Sequence, residues 1–365
     1  MMDGAGVVEL LRRTVEAEAS DLHLKSGTPP TVRVHGRLQQ LGEEEMTAEE
    51  LEACLAEIAS AEQQGAFAAE KELDFSYVAE GLARFRVNVS RQRGSIAMAF
   101  RLIREEAPTP EELGLPEVCA ELVLKPRGLI LVTGPTGCGK STTLAAMIDY
   151  LNEREERHIV TIEDPIEFLH RNKRSMISQR ELGGDTLSFG AALRHVLRQD
   201  PDVILVGEMR DLETMAAAVT AAETGHLVLA TLHTPSAPQT IDRIIDSFPA
   251  HQQQQIRVQL STVLEAVLCQ TLAPRADGSG RVAAIEVMIA TAAVRNLIRE
   301  GKTFQLPGVI QTGAQYGMRT LDQALASLMM SGAISREEAL ARCADPQEIG
   351  RAGRTAYSAA VRSTG

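Results

Sequence analysis

From residue 84 to residue 89 apolar and polar positions alternate, with Phe85, Val87 and Val89 on one face and Arg84, Arg86 and Asn88 on the other. A period of two predicts a strand that packs on one side and offers guanidinium groups on the other. Short apolar runs predict further strands over 31–34 and 96–103, and Thr47-Ala48-Glu49-Glu50 is a capping box opening a helix to about Ile58. The first hundred residues thus read as a small α+β unit. Beyond Gly128 the texture changes: the runs 129–132, 159–162, 203–206 and 227–232 are apolar without alternation and are separated by helical stretches. That is the pattern of parallel strands covered on both faces, so an α/β sheet is predicted there. Near the end, Leu321, Leu325 and Leu328 share one helical face, and Ser335-Arg336-Glu337-Glu338 reads as a second capping box.

Between the two textures, residues 105–112 carry Pro108, Pro110 and four glutamates with almost nothing apolar, which suits an exposed connector. The predicted organisation is an N-terminal domain over 1–104, a linker over 105–115, a larger domain with C-terminal helices over 116–350 and a frayed tail over 351–365. A length of 365 residues allows two domains, each with its own core.

Charge narrows the choice of partner. The 49 acidic residues outnumber the 37 basic ones, and a net charge of -12 repels a phosphate backbone unless a basic channel is segregated, so no nucleic-acid track is expected. The five cysteines, Cys54, Cys119, Cys138, Cys269 and Cys343, form no C-x-x-C pair, which indicates neither a disulfide framework nor a zinc ribbon and points to a reducing compartment. The start of the chain lacks a basic segment followed by an apolar core, and no apolar run approaches the length needed to span a bilayer. The expectation is a cytoplasmic protein that meets a membrane only through partners.

Chemistry enters at Gly134-Pro135-Thr136-Gly137-Cys138-Gly139-Lys140-Ser141, which fits G-x-x-x-x-G-K-[ST]. Glycines at these positions let backbone N–H groups approach phosphate oxygens, Lys140 is placed to reach the β and γ phosphates, and the Ser141 hydroxyl to ligate magnesium. An apolar strand precedes the loop and a helix-compatible run, with Thr142 in its first turn, follows it. Such a loop needs carboxylates at the C-terminal ends of neighbouring strands. Glu208 ends the run 203–206 and Glu163 ends the run 159–162; either fits the general base, and Glu208 also fits a magnesium contact. His226 and His233 bracket the run 227–232 and lie about 20 Å apart if it is extended. His233, at the C-terminal end, suits a phosphate sensor; His226 is carried as a nucleotide-binding candidate beside a structural reading. Cys138, among phosphate-binding N–H groups and near Lys140, is in surroundings that favour a reactive thiolate, with a buried, inert cysteine standing in for serine as the equal alternative.

Four segments in order, the 134–141 loop, 161–167, 200–211 and 224–233, resemble the Walker A, Asp, Walker B and His boxes of the secretion ATPases, the superfamily of type II secretion and type IV pilus motors. The resemblance covers nearly the whole chain. It implies a PAS-like N-terminal domain joined to a RecA-like ATPase domain, a homo-hexameric ring, ATP and Mg2+ as ligands, and nucleotide held between the two domains. It also implies that Arg84, Arg86 and Arg101 bring positive charge to the transferring phosphoryl group. Extension and secretion members usually carry a tetracysteine zinc element after the His box, where this chain has only Cys269. The segment 293–301 is similar to the C-terminal signature of the PilT-type retraction ATPases, with Val294 where isoleucine is usual. Its own physics is an amphipathic helix with Val294, Leu297 and Ile298 inward, Arg295 and Arg299 outward and Gly301 as the stop. The expected function is therefore pilus retraction, with an inner-membrane platform protein and paralogous retraction or assembly ATPases as partners and a peripheral position at the inner membrane. A pilus-assembly or type II secretion ATPase is the rival reading, and a DNA-translocating conjugation ATPase a more distant one.

Overall fold

A computed structural model of the chain describes residues 6–34, 36–103 and 106–351. The tail expected to fray over 351–365 falls outside the described residues from 352 onward. The chain forms two compact units, residues 1–106 with 167–169, and 107–166 with 170–365.

In the first unit the order is α1 (Val7–Glu16), β1 (Asp21–Lys25), β2 (Thr31–Val34), β3 (Arg37–Gln40), α2 (Ala48–Ile58), α3 (Ala61–Glu70), β4 (Glu72–Ala79), β5 (Ala83–Gln92) and β6 (Ser95–Ile103). The six strands make one antiparallel sheet in the order β3-β2-β1-β6-β5-β4. Phe85, Val87 and Val89 of β5, Met98 and Phe100 of β6, and Leu22 and Leu24 of β1 are buried on its inner face with Leu10, Leu11, Leu51 and Leu55 of α1 and α2. Both α2 and α3 open with reciprocal capping boxes, Thr47 with Glu50 and Ser60 with Gln63, which satisfy end N–H groups no helical carbonyl can reach. On the other face, register places Arg33, Asp21, Arg101 and Arg86 side by side across four strands.

The second unit contains α4 (Val118–Val123), β7 (Gly128–Thr133), α5 (Lys140–Arg154), β8 (His158–Glu163), β9 (Met176–Glu181), α6 (Phe189–Val196), β10 (Val203–Val206), α7 (Leu212–Glu223), β11 (Leu227–Leu232), α8 (Ala237–Asp246), α9 (Gln253–Val263), β12 (Leu264–Pro274), β13 (Arg281–Ile289), α10 (Ala292–Arg299), α11 (Leu306–Thr312), α12 (Leu321–Met330) and α13 (Arg336–Arg342). The sheet order is β13-β12-β7-β11-β10-β8-β9, parallel except for β13. Successive residues of each central strand feed opposite cores, which is why their sequences do not alternate. Leu129, Leu131, Val160, Ile162, Ile204 and Val206 pack towards α6 to α10, whereas Ile130, Val132, Ile159, Val203 and Leu205 pack towards α4 and α5.

Residues 109–115 of the expected connector are mostly exposed or half-buried and fold into a tight turn closed by Leu113 N to Thr109 O at 3.2 Å and Leu115 N to Pro110 O at 2.9 Å. At α13 the cap is one-sided: the Ser335 hydroxyl accepts from Glu338 N, but the Glu338 carboxylate turns to Arg342 instead of back to the cap. The hairpin β12–β13 has no plain signature in the sequence, because buried Gln270 and Glu286 interrupt its apolar runs. Among the described residues no helix is long and apolar enough to cross a membrane.

Candidate nucleotide-binding site

The phosphate-type loop joins the C-terminal end of β7 to the first turn of α5, at the edge of the sheet where all the parallel strands end. Two of its glycines are dictated by geometry. Gly134 has φ +137°, and a Cβ there would stand 2.2 Å from the Gln270 carbonyl oxygen. Gly139 has φ +89°, a left-handed conformation that side chains resist, and ends the loop just before Lys140.

Lys140 is buried, and its ammonium donates to the carbonyls of Gly134 at 2.9 Å and Pro135 at 3.2 Å while standing 3.4 Å from His233 Nδ1. The Thr136 hydroxyl meets the same ring nitrogen at 3.4 Å. The other ring nitrogen of His233, Nε2, lies 3.0 Å from the Glu208 carboxylate. A ring bare at Nδ1 and protonated at Nε2 satisfies both neighbours, since an ammonium only donates and a carboxylate only accepts. Glu208 is also held by Arg210, whose Nε and terminal nitrogen reach its two oxygens at 2.6 and 2.8 Å, a bidentate fork. Burial pushes the Glu208 carboxyl up, but the hydrogen bonds from Arg210 and His233 and the positive charge of Arg210 prevail and hold it below the usual carboxylate range. The result is a continuous path of polar contacts from the loop lysine through His233 to Glu208.

Glu163 ends β8, the strand beside β10, and the two ends approach closely: a Cβ on Gly207 would stand 3.2 Å from Glu163 Cα. Its carboxylate accepts from the Thr161 hydroxyl at 2.6 Å and the Gln179 amide at 3.1 Å, which turn it towards β9. Ser141 and Thr142, in the first turn of α5, are half-buried. Gly137, φ +78°, forms the exposed apex of the loop together with Pro135 and Thr136.

His226 lies at the edge where the sequence places it, the alternatives for Cys138 are decided, and the placement of Arg295 is corrected. His226 sits at the N-terminal end of β11, the edge opposite the loop, with Nδ1 3.2 Å from the Thr224 hydroxyl and 2.9 Å from the Ala221 carbonyl. Within one protomer the length of the strand keeps it from the nucleotide loop, and its ring closes the end of α7. Cys138 is buried, and burial pushes its thiol up against the smaller opposing pull of Lys140 and backbone hydrogen bonds, so it does not favour the thiolate. Arg295 does not face solvent. Its guanidinium donates to the carbonyls of Ala290, Ser261 and Thr262 and pairs with Glu265 at 2.8 Å, which fastens α10 to the end of α9. Arg299 is exposed, Val294 and Ile298 are fully buried, and Gly301 stops the helix with φ +70°.

In the first unit the arginines have partners of their own. Arg101 pairs with Asp21 at 2.9 Å, Arg86 approaches Asp74 at 3.8 Å, and Arg84 is half-buried. Sequence reasoning missed three residues: Arg33, which reaches Asp21 at 3.8 Å; Arg210; and Gln270. The last two left signals, a cation two residues beyond a strand-end carboxylate and an amide in an otherwise apolar run.

The model of the family "Type II/IV secretion system protein" matches residues 111–341. The type IV pilus retraction ATPase PilT of Pseudomonas aeruginosa is 50% identical over 343 residues, covering 94% of this chain and 99% of that one. A twitching motility protein of Neisseria gonorrhoeae is 48% identical over 344 residues, covering 94% and 92%. The crystal structure of the pilus retraction motor PilT with bound ADP superposes with a TM-score of 0.89 at 45% identity, covering 95% of this chain and 99% of that one. The chain belongs to the type II/IV secretion system protein family and, within it, to the PilT-type ATPases.

Proposed function

We infer that this protein is an ATPase motor that powers retraction of type IV pili. The observation that carries the chemistry is the contact path from Lys140 through His233 to Glu208, which ties the phosphate loop to the carboxylate two strands away. In this reading the N–H groups of residues 134–142 cradle the triphosphate, and Lys140 leaves its loop carbonyls to neutralise the β and γ phosphates. His233 then reports phosphate occupancy at Lys140 to Glu208. Glu208, kept ionised, orients the attacking water, with Glu163 as a second carboxylate close enough to share that task.

Magnesium fits this donor set, a hydroxyl at a helix start and a carboxylate that burial has not neutralised. Ser141 and Glu208 would hold the ion, which would offset charge building on the phosphoryl oxygens. Arg84, Arg86 and Arg101 are proposed as further counter-charges for that phosphoryl group. The working assembly is a homo-hexamer, peripheral at the cytoplasmic face of the inner membrane, acting on an integral-membrane platform protein. The absence of cysteine pairs after His233 disfavours the assembly and secretion rivals.

Steady-state hydrolysis by the purified protein tests the chemistry. Lys140→Ala is expected to bind ATP poorly and not hydrolyse it; Glu208→Gln is expected to bind ATP and turn it over at least ~100-fold more slowly. Turnover at the wild-type rate in either variant contradicts the reading.

A further inference from the structure

Gln270 lies outside every motif of the chain, yet the loop is built around it. It sits on β12, the strand beside β7, one residue beyond the Cys269–Thr133 pair, and only 2% of its surface is exposed. Its side-chain amide donates to the Cys138 carbonyl at 2.6 Å, and its side-chain oxygen accepts from the Thr143 hydroxyl in α5 at 3.0 Å. Gly134 passes over its backbone carbonyl, and a Cβ on Gly139 would stand 3.3 Å from its side-chain nitrogen. One buried side chain therefore holds the middle of the loop and the first turn of the following helix, while its backbone underlies the loop's entry.

The choice of atom matters. A trans peptide is planar, and its C=O and the next N–H point in opposite directions. With the Cys138 oxygen drawn to β12, the N–H of Gly139 points away from β12. If Gln270 let go, this peptide would be free to turn its carbonyl towards an incoming phosphate, replacing a donor by an acceptor in the middle of the cradle.

We propose that Gln270 is a positioning residue for nucleotide binding, which presets the Cys138–Gly139 peptide so that the loop offers an N–H, and not a carbonyl, to the phosphates. The proposal rests on the ATPase reading above. Wild-type binding of ADP tests that reading; the variants below test this one.

Gln270→Glu changes a single atom of the amide. The ionised carboxylate can accept from Thr143 but has nothing to donate to the Cys138 oxygen, and the two oxygens repel; a protonated carboxyl can donate again. Binding of a fluorescent ADP is measured for wild type, Gln270→Glu and Gln270→Met between about pH 5.5 and pH 8, a range that a buried carboxyl can titrate in. At the alkaline end both variants are expected to bind ~10-fold or more weakly than wild type, because the carbonyl loses its partner. On acidification the ratio of Gln270→Glu to wild type should recover, while that of Gln270→Met should not. Melting of the nucleotide-free proteins is followed in parallel, since a role confined to core packing would lower the melting temperature without pH-dependent recovery of binding. Affinity of either variant within twofold of wild type at about pH 8, or a Gln270→Glu ratio that stays flat with pH, overturns the proposal.

Discussion

Glu208 receives hydrogen bonds from two sides, a bidentate fork from Arg210 and the Nε2 of His233, and these set its charge against the cost of burial. Its carboxyl is held below the ordinary value of 4.5, so the ionised form is favoured in the folded protein. The stabilisation it contributes is complete above that ordinary value and is lost as pH falls through the lowered one. Arg210→Ala removes the largest stabilising partner and leaves His233 alone to oppose burial. The acid limb of the turnover profile should then move to higher pH, which a pH profile of kcat for the two proteins measures; an unmoved limb would mean Arg210 does not tune Glu208. The same arithmetic decides the reading of Cys138, where burial outweighs the charge of Lys140. Maleimide is expected to leave the folded enzyme active, and Cys138→Ser to lie within ~0.5–1.5 kcal/mol of wild type in stability by denaturant titration. Rapid inactivation by maleimide that Cys138→Ser abolishes would restore the reactive-thiol view. At this scale motif spacing made legible where Gly134, Lys140, Glu163 and Glu208 lie in the fold. It concealed contacts between residues distant along the chain, such as that of Gln270 with Cys138, and it left the thiol open between reactive and inert because burial cannot be read from neighbours in sequence.

Helix α10 shows what a heptad-like pattern can and cannot reveal. Val294 and Ile298 point inward as their spacing requires, and shortening Ile298 to alanine should cost about 2–5 kcal/mol. The two arginines have opposite fates. Arg295 closes the carbonyls of Ser261 and Thr262 at the end of α9 and pairs with Glu265, which also holds Lys125 at 2.9 Å. Arg295→Ala should therefore destabilise by roughly 1–3 kcal/mol in chemical denaturation, since partly buried acceptors and a carboxylate lose their donor. Arg299, exposed, should change stability by less than ~0.5 kcal/mol when made alanine. Equal effects of the two would contradict the clamp. Periodicity announces which side of a helix is apolar, but whether a long cation folds over onto a neighbouring helix depends on where that neighbour ends. The same reason hid the β12–β13 hairpin: its buried polar residues serve other elements, Gln270 the loop and Glu286 the start of α8 through Ala237 N at 2.7 Å. By contrast, the four central strands were plain because both faces of each are buried in cores that are apolar throughout.

For the whole molecule, the net charge of -12 disfavours a phosphate backbone as the track along which work is done. The features proposed for the chemistry within the second unit converge on the C-terminal edge of its parallel strands, the edge at which such folds bind ligands. The retraction reading is distinguished from its rivals by the direction of the work. That direction is read in cells and not from hydrolysis. Single pili labelled with a fluorophore should be filmed in a strain whose only copy carries Lys140→Ala, against the wild type. The account predicts cells that extend pili normally, accumulate them and do not pull them back. Cells that make no pili, or that retract them at the wild-type frequency, would contradict it.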